Sequence, residues 1–342
     1  MNSTLTLKPR FTINQAHVRL SAARPVRVQA LTVDREVLPH DHDYYEICLV
    51  RRGSGVHRTE LYEERLEAGS VVVIPPGKVH AFSNIKLLEV TNIYYLAEWL
   101  LVELTPLWET DGLVPLFLAA SLFRRNVPMK VPQFSLTEAG VLACTRELND
   151  IHAELQLDLP SRVYLKSSFL KCLVGLSRAY VKFTSQKLLS PVFVRGVGET
   201  PIPSAIMDSI GFGFRPEIQR ALEHVEECIS ESQLMNVEKL ARHSHLSQDH
   251  LSRLFKQATG YSPLEFYQRR RIHQASALLL NPHYSVTEVG YRLRYADTAH
   301  LSRFFKRYMG IPPREYRQKY LPRCKPSGSN SGKAPGTNPS VK

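Results

Sequence analysis

The sequence predicts an α+β protein of more than one domain, with a β-rich N-terminal part, a helical middle and an all-α C-terminal part. Three observations support this fold class. The 342 residues suffice for two domains of about 100–200 residues each. The N-terminal third contains segments rich in β-branched residues, whereas apolar residues elsewhere follow a helical spacing. One basic, amphipathic segment also occurs twice, fifty residues apart.

Three N-terminal segments, 26–33, 45–51 and 70–75, have the composition of short β-strands. They are rich in β-branched residues, and glycine or proline residues separate them. Several short strands at such intervals are typical of a small barrel or sandwich.

Composition and periodicity divide the chain into five parts. Residues 1–95 form the predicted barrel, and residues 96–187 are predicted to be helical. Residues 188–214 are rich in proline and glycine without a sustained period, which predicts a linker. Helical patterning resumes over 215–321. The Ser/Gly/Pro/Lys-rich residues 322–342 predict a disordered basic tail.

The charge is concentrated in the C-terminal part. The chain has 44 Lys and Arg against 32 Asp and Glu, and from Arg215 onward 21 basic residues face 11 acidic ones, which accounts for +10 of the net +12. This asymmetry favours a polyanionic partner. The five cysteines form no C-x-x-C pair, and the N-terminus lacks the pattern of a signal peptide. We therefore expect a cytoplasmic protein without a membrane partner.

The repeated segment reads HLSRLFKQATGYSPLEF at 250–266 and HLSRFFKRYMGIPPREY at 300–316, with nine of seventeen positions identical. Each copy predicts a helix with an N-cap, Ser247 or Asp297, and a glycine terminator, Gly260 or Gly310. Apolar residues at i, i+3, i+4 and i+7 form one stripe in each helix. These stripe residues are Leu251, Leu254, Phe255 and Ala258, and Leu301, Phe304, Phe305 and Tyr308.

The opposite face of each repeated helix carries short polar groups and an arginine in its first turns, followed by a lysine. Such residues reach base edges when a helix N-terminus enters the major groove, and the lysines suit phosphate contacts. A shorter helix of matching period precedes each copy, so each pair predicts a helix-turn-helix unit, at about 237–258 and 286–309. The candidate DNA-binding residues are Gln248, Asp249, Ser252, Arg253, Lys256, Thr298, Ala299, Ser302, Arg303 and Lys306.

The segment from about 215 to 320 resembles the DNA-binding domain of the AraC/XylS family of bacterial transcription regulators. The resemblance rests on LARHSHLSQDHLSRLFKQATGYSPLEFYQRRRIHQASALL and VTEVGYRLRYADTAHLSRFFKRYMGIPPREYR. It implies seven helices with two helix-turn-helix units on a linking helix, which would read successive major grooves about 34 Å apart. It further implies an activator with a small-molecule effector, a sugar being favoured, a homodimer formed through residues 96–187, and RNA polymerase as a further partner.

Two N-terminal segments bring histidines together. PHDHDYYEICLVRRG at 39–53 contains His40, His42 and Glu46, and GSVVVIPPGKVHAFSN at 69–84 contains His80. Residues i and i+2 of a strand share a face, so His40 and His42 can point into one cavity. Three imidazoles and a carboxylate are a plausible ligand set for a divalent transition metal such as Zn, Fe, Mn, Ni or Cu.

Both segments resemble the two motifs of the cupin superfamily, a small β-barrel in which the equivalent positions bind metal. Sensor domains of AraC-type regulators are also cupin-like, and many use the barrel to hold an effector. The four side chains are therefore candidates for either effector or metal binding. The main hypothesis is a DNA-binding regulator that is not an enzyme. The alternative is a metal-dependent cupin enzyme with a nucleic-acid-binding tail.

Overall fold

The computed structural model describes residues 7–21, 24–101, 105–108, 110–123, 131–188 and 215–320. It confirms the predicted fold class: a mixed β-sheet near the N-terminus, helices in the middle, and an all-α C-terminal part. The predicted tail, and all but the first residue of the predicted linker, lie outside the described residues.

The sheet contains eight described strands in the order β1-β3-β7-β4-β6-β8, with β2 paired to β7 and β5 paired to β4. Only the pairing of β1 with β3 is parallel among these strands. The strands are β1 Phe11–Ile13, β2 Val26–Val33, β3 Val37–His42, β4 Tyr45–Thr59, β5 Glu63–Leu66, β6 Ser70–Ile74, β7 His80–Tyr95 and β8 Gln133–Ser135.

Two strands differ in length from the sequence prediction. β4 and β7 span 15 and 16 residues, whereas the sequence predicts only short strands. Both continue because register shifts bend them without ending their pairing. Gly53 and Leu87 lie at this bend with positive φ angles of 80° and 44°. Bulges of this kind increase the bend and twist of a strand, which curls the sheet.

The sheet has two buried faces. One, with Ile47, Leu49 and Val73, packs on the helices and belongs to the largest apolar cluster. The other, with Cys48, Val72 and Val90, lines the inside of the curved sheet. β8 pairs with β6, so a strand within the region predicted to be helical extends the sheet beyond residue 95.

Helices form the rest of the described chain, after a 3₁₀ turn at Ala97–Trp99. The described stretch from 215 to 320 contains seven helices, the number that the family resemblance implies. No helix among the described residues has the length and apolar character needed to cross a membrane. The helices are α1 Thr105–Trp108, α2 Leu113–Phe117, α3 Ala119–Leu122, α4 Glu138–Glu154, α5 Arg162–Leu188, α6 Pro216–Ser230, α7 Val237–His243, α8 Gln248–Thr259, α9 Pro263–Leu279, α10 Val286–Arg292, α11 Thr298–Met309 and α12 Pro313–Tyr320.

The C-terminal helices pack against the middle of the chain. Phe266 on α9 stacks on Phe123, with ring centroids 5.9 Å apart. The Arg270 guanidinium, also on α9, donates a 2.8 Å hydrogen bond to the Leu101 carbonyl oxygen. Arg270 binds Glu226 of α6 through two further hydrogen bonds of 2.6 and 2.8 Å. This buried polar connection fixes how the linking helix sits on the N-terminal half.

Gly53→Ala is expected to be about 1–3 kcal/mol less stable than Gly77→Ala, because a Cβ at Gly53 would lie 2.0 Å from the Leu87 carbonyl oxygen. Gly77 has a similar φ of 73°, but a Cβ there would meet nothing within 4 Å. Gly77→Ala therefore carries only the cost of a left-handed conformation, about 1–2 kcal/mol. Thermal and denaturant unfolding of both variants would test this, and equal losses of stability would contradict it.

Candidate nucleic-acid interface and histidine site

The two helix-turn-helix units have the predicted local structure. The Ser247 hydroxyl accepts a hydrogen bond from the His250 N–H, and the Asp297 carboxylate does the same for the His300 N–H. Gly260 and Gly310 end α8 and α11 in the left-handed conformation, with φ angles of 80° and 77°. These local interactions require no tertiary contact, so sequence alone could predict them.

The buried stripes of α8 and α11 orient the rest of each helix. Leu251 and Phe255 are fully buried, as are Leu301 and Phe305. The other predicted stripe residues, Leu254, Ala258, Phe304 and Tyr308, are half-buried and pack against the same clusters. The opposite face of each helix therefore points to solvent.

The predicted DNA-binding residues lie on this solvent-facing side. Seven are exposed: Gln248, Asp249, Arg253, Lys256, Ala299, Arg303 and Lys306. Ser252, Thr298 and Ser302 are half-exposed. Arg253 and Arg303 occupy equivalent positions one turn into α8 and α11, where side chains reach the base edges of an adjacent major groove.

The turns of the two helix-turn-helix units differ in length by one residue, as predicted. His245 and Arg294 occupy equivalent positions with positive φ angles of 56° and 54°. The second turn then has one residue more before its N-cap, Asp297, than the first has before Ser247. Gly290 on α10 faces Leu301, and a Cβ there would lie 3.6 Å from the Leu301 side chain, which agrees with a close helix crossing.

Sequence reasoning missed further exposed cations beside these helices. Arg242 on α7, Arg292 on α10 and Arg294 in the second turn are all exposed. They lie outside the repeated segment, so a search for repeats does not find them. Their placement adds positive charge to the same units, which suits contacts with DNA phosphates.

The second candidate site lies inside the curved sheet. His40 and His42 from β3, Glu46 from β4 and His80 from β7 are all buried. The His80 ring lies centrally, with its centroid 4.2 Å from that of His40 and 5.2 Å from that of His42. The structure thus brings together the four side chains that the sequence analysis names.

The histidine tautomers follow from backbone contacts. The Nδ1 atoms of His40, His42 and His80 lie 2.9, 2.7 and 3.3 Å from the carbonyl oxygens of Leu38, Tyr44 and Lys78. These contacts require Nδ1–H donors, so each Nε2 keeps a free electron pair. The Nε2 atoms of His42 and His80 are buried without a hydrogen-bond partner.

Glu46 completes the cluster. Its Oε2 lies 3.4 Å from His42 Nε2, without hydrogen-bond geometry, and its Oε1 accepts a 2.7 Å hydrogen bond from Asn92 Nδ2. Ligand atoms of His42, Glu46 and His80 all lie within 4.8 Å of one another. This is a compact set of two nitrogen donors and one oxygen donor.

Burial dominates the electrostatics of this cluster. Burial lowers the pKa of His42 to about 4. It also lowers the pKa of His80 well below its ordinary value, and the neighbouring imidazoles lower it further. Burial also lowers the pKa of His40 and raises the pKa of the Glu46 carboxyl to about 8. Neutral imidazoles are the form that ligates metals. A bound cation would favour the ionised form of the buried Glu46 carboxyl, which burial otherwise disfavours. The residues therefore fit a divalent transition metal.

His57 is a fourth buried histidine that sequence reasoning missed. Its ring centroid lies 6.2 Å from that of His80, its Nε2 is unpartnered, and burial lowers its pKa to about 4. Strict alternation along β4 would place His57 and Glu46 on opposite faces. The register shifts between Val50 and Val56 reverse this parity, so both point inward. No local pattern in the sequence reveals that reversal.

Comparisons with known proteins match the two parts of the chain that contain these sites. Residues 240–319 match a helix-turn-helix domain family, and residues 30–115 match an AraC-like ligand binding domain family. The HTH-type transcriptional activator RhaS of Salmonella paratyphi A is 24% identical over 282 residues, which cover 81% of this chain and 86% of RhaS. RhaS of Escherichia coli O81 is 25% identical over 265 residues, which cover 76% of this chain and 80% of RhaS.

Two solved structures are also similar. The DNA-binding domain of AdpA in complex with a target DNA is 31% identical, covers 30% of this chain and 92% of that domain, and has a TM-score of 0.28. ToxT from Vibrio cholerae O395 is 12% identical, covers 86% of this chain and 98% of ToxT, and has a TM-score of 0.34.

The sequence matches therefore cover both the predicted sensor and the predicted DNA-binding part. The chain is therefore similar to AraC-type transcription regulators in two separate parts, a ligand-binding domain and tandem helix-turn-helix units.

Proposed function

We propose that this protein activates transcription by placing α8 and α11 of one chain in two successive major grooves. One observation carries the proposal: both helices bury the same apolar stripe and expose equivalent arginines, Arg253 and Arg303. Relatives named as transcriptional activators support activation over repression. The relatives are regulators, which favours this function over a cupin enzyme with a nucleic-acid-binding tail.

Footprinting on the DNA upstream of the protein's own gene tests this proposal. Two recognition helices about 34 Å apart should protect one DNA face over at least two helical turns, or roughly 20 base pairs. Protection confined to a single turn would contradict the use of both units by one chain.

A homodimer and further partners belong to the same proposal. α4 and α5 form a helix pair on the sheet, and Leu142 on α4 is exposed, which suits contact with a second copy. Activation implies a contact with RNA polymerase, and action on DNA implies a cytoplasmic location. The sensor would comprise residues 1–95 together with β8, the dimerisation region the helices of 96–187, and the DNA-binding domain residues 215–321.

A second candidate function is metal-dependent effector sensing within the sheet. The unpartnered Nε2 atoms of His42 and His80, beside Glu46, favour a divalent transition metal there. His40 lies beside this group, with its ring centroid 4.2 Å from that of His80. When bound, such a metal supplies a Lewis acid for an oxygen-bearing effector, such as the hydroxyl groups of the sugar that the resemblance favours.

Metal analysis of the purified chain, and its visible spectrum after Co²⁺ loading, test this candidate. We expect about one metal ion per chain, with affinity at least 10–100-fold weaker in His42→Ala and His80→Ala, since even outer-shell changes cost that much. His152→Ala, an exposed histidine on α4, is the matched control and should bind normally. Substoichiometric metal, or unchanged binding in His42→Ala, would contradict the candidate.

A further inference from the structure

Two cysteines face each other across the helix pair α4 and α5. The Sγ atoms of Cys144 and Cys172 lie 3.2 Å apart, and both thiols are free. A disulfide bond is about 2.05 Å long, so the two sulfurs need to approach each other by only about 1.2 Å to be joined. Among the four cysteines that the structure describes, these are the two whose sulfur atoms are in contact.

The packing of the two helices sets this geometry. The cysteines are 28 positions apart in the chain, so no local pattern brings them together. Lys171 Nζ and Glu147 Oε1 form a 2.6 Å ion pair between α5 and α4, next to Cys172 and one turn after Cys144. This ion pair holds the helices together beside the two thiols.

A groove of about 450 Å³ leads to the cysteine pair. Both cysteines line it, although they are only 6% and 3% exposed, and Lys182 lies along it as well. A small oxidant can enter such a groove, whereas a thiol of another protein would have to reach a nearly buried sulfur. The geometry therefore favours a bridge within the chain over one between chains.

The groove lies on a different face of α4 from the proposed dimer contact. Leu142, the exposed residue of that contact, is two positions from Cys144. Two positions correspond to about 200° around a helix, so the two residues point in nearly opposite directions. A second copy bound at Leu142 would thus leave the groove open.

The contact between the thiols distinguishes their roles. The hydrogen bond with Cys144, together with burial and the nearby Glu147, raises the pKa of the Cys172 thiol well above its ordinary value. Cys172 therefore keeps its proton. Because a thiolate is the attacking form, this leaves Cys144, the more exposed of the two, as the sulfur that reacts first.

We propose that Cys144 and Cys172 form a modification site at which a hydroperoxide produces a reversible disulfide within the chain. The Cys144 sulfur attacks the O–O bond, which converts Cys144 to a sulfenic acid and releases water or an alcohol. The Cys172 sulfur then displaces the sulfenic hydroxyl group, which leaves as water, and the S–S bond forms. Two thiols are oxidised and one peroxide is reduced, and a thiol reductant reverses the reaction by exchange.

The bridge would join the two helices of the proposed dimerisation region. It would prevent α4 from sliding along α5 and would stabilise the folded chain by constraining the unfolded one. Disulfides in a reducing cytosol are usually transient and redox-sensing. The pair thus gives the regulator a redox input that is independent of the histidine site.

Peptide mapping of the full-length chain under non-reducing conditions tests the proposal. After the reduced, folded chain is treated with hydrogen peroxide and a metal chelator, we expect linked peptides that contain Cys144 and Cys172. The Tm should rise on oxidation and return to its first value after dithiothreitol, because the bridge constrains the unfolded chain. The chelator separates this reaction from metal chemistry at the histidine site.

Single substitutions test the order of the two steps. Cys172→Ser should accumulate a sulfenic acid at Cys144, which dimedone traps, because no thiol remains to displace its hydroxyl group. Cys144→Ser should give far less trapped sulfenic acid, since Cys172 keeps its proton. Cys228→Ser is the matched control: Cys228 is buried but touches no other cysteine among the described residues, so this variant should form the bridge normally.

The proposal is wrong if the folded wild-type chain yields no link between Cys144 and Cys172, or if the link forms only after unfolding in urea. Equal dimedone labelling of Cys144→Ser and Cys172→Ser would overturn the assignment of the attacking sulfur. These readouts involve neither DNA nor a bound metal, so they remain decisive whatever the outcome for the proposed function.

Discussion

Glu226→Ala is expected to destabilise the C-terminal helices by about 3–5 kcal/mol, the cost of removing one partner from a buried ion pair. Glu226 and Arg270 are only 3% and 2% exposed. The substitution removes both hydrogen bonds of 2.6 and 2.8 Å and leaves the guanidinium buried. Since Arg270 also binds the Leu101 carbonyl oxygen, the packing of α9 on the N-terminal half should weaken as well.

Denaturant unfolding followed by circular dichroism, with hydrogen exchange in α6 and α9, measures this effect. Glu227→Ala is the matched control, because its carboxylate lies on the same helix but is 56% exposed and, among the described residues, forms its ion pair with His224. An exposed pair of this kind contributes up to about 1 kcal/mol. Equal unfolding midpoints for the two variants would refute the importance of the buried pair.

The double substitution Arg253→Ala/Arg303→Ala is expected to weaken binding to the specific DNA site by about 2–6 kcal/mol. Each arginine that reads a base contributes about 1–3 kcal/mol, and the two lie on separate helices, so their effects should add. Both side chains are exposed at equivalent positions of α8 and α11. Binding to unrelated DNA should change far less, so the ratio of specific to non-specific affinity should fall.

Titrations of specific and unrelated DNA at several salt concentrations measure this ratio. Lys256→Ala provides the contrast, because loss of one phosphate contact should weaken both kinds of binding alike and reduce the salt slope by about 1. If the double arginine variant instead weakened both kinds of binding equally, base reading by these arginines would be ruled out.

Much of the DNA-binding part could be predicted because its determinants are local. Ser247 and Gly260 delimit α8 through contacts within a few residues. Their counterparts Asp297 and Gly310 do the same for α11. An apolar stripe at helical spacing also determines which face of a helix is buried. The opposite face, which carries Arg253, is therefore predicted to be exposed.

The histidine site could be predicted only in part. His40, His42, Glu46 and His80 fall in recognisable motifs, and the structure brings them together. His57 is different, because its orientation depends on bulges in β4 opposite β7. Bulges arise from pairing between strands distant in sequence, so strand alternation alone places His57 on the wrong face.

The sequence by itself determined the local elements of this protein: the capped recognition helices, their exposed arginines and the motif histidines. Only the tertiary structure decided which distant residues meet. The pairing of Arg270 with Glu226 and Leu101 joins segments separated by 44 or more residues. Such contacts depend on how whole elements pack. A buried charge needs a partner close in space, and the residue that supplies it can lie far away along the chain.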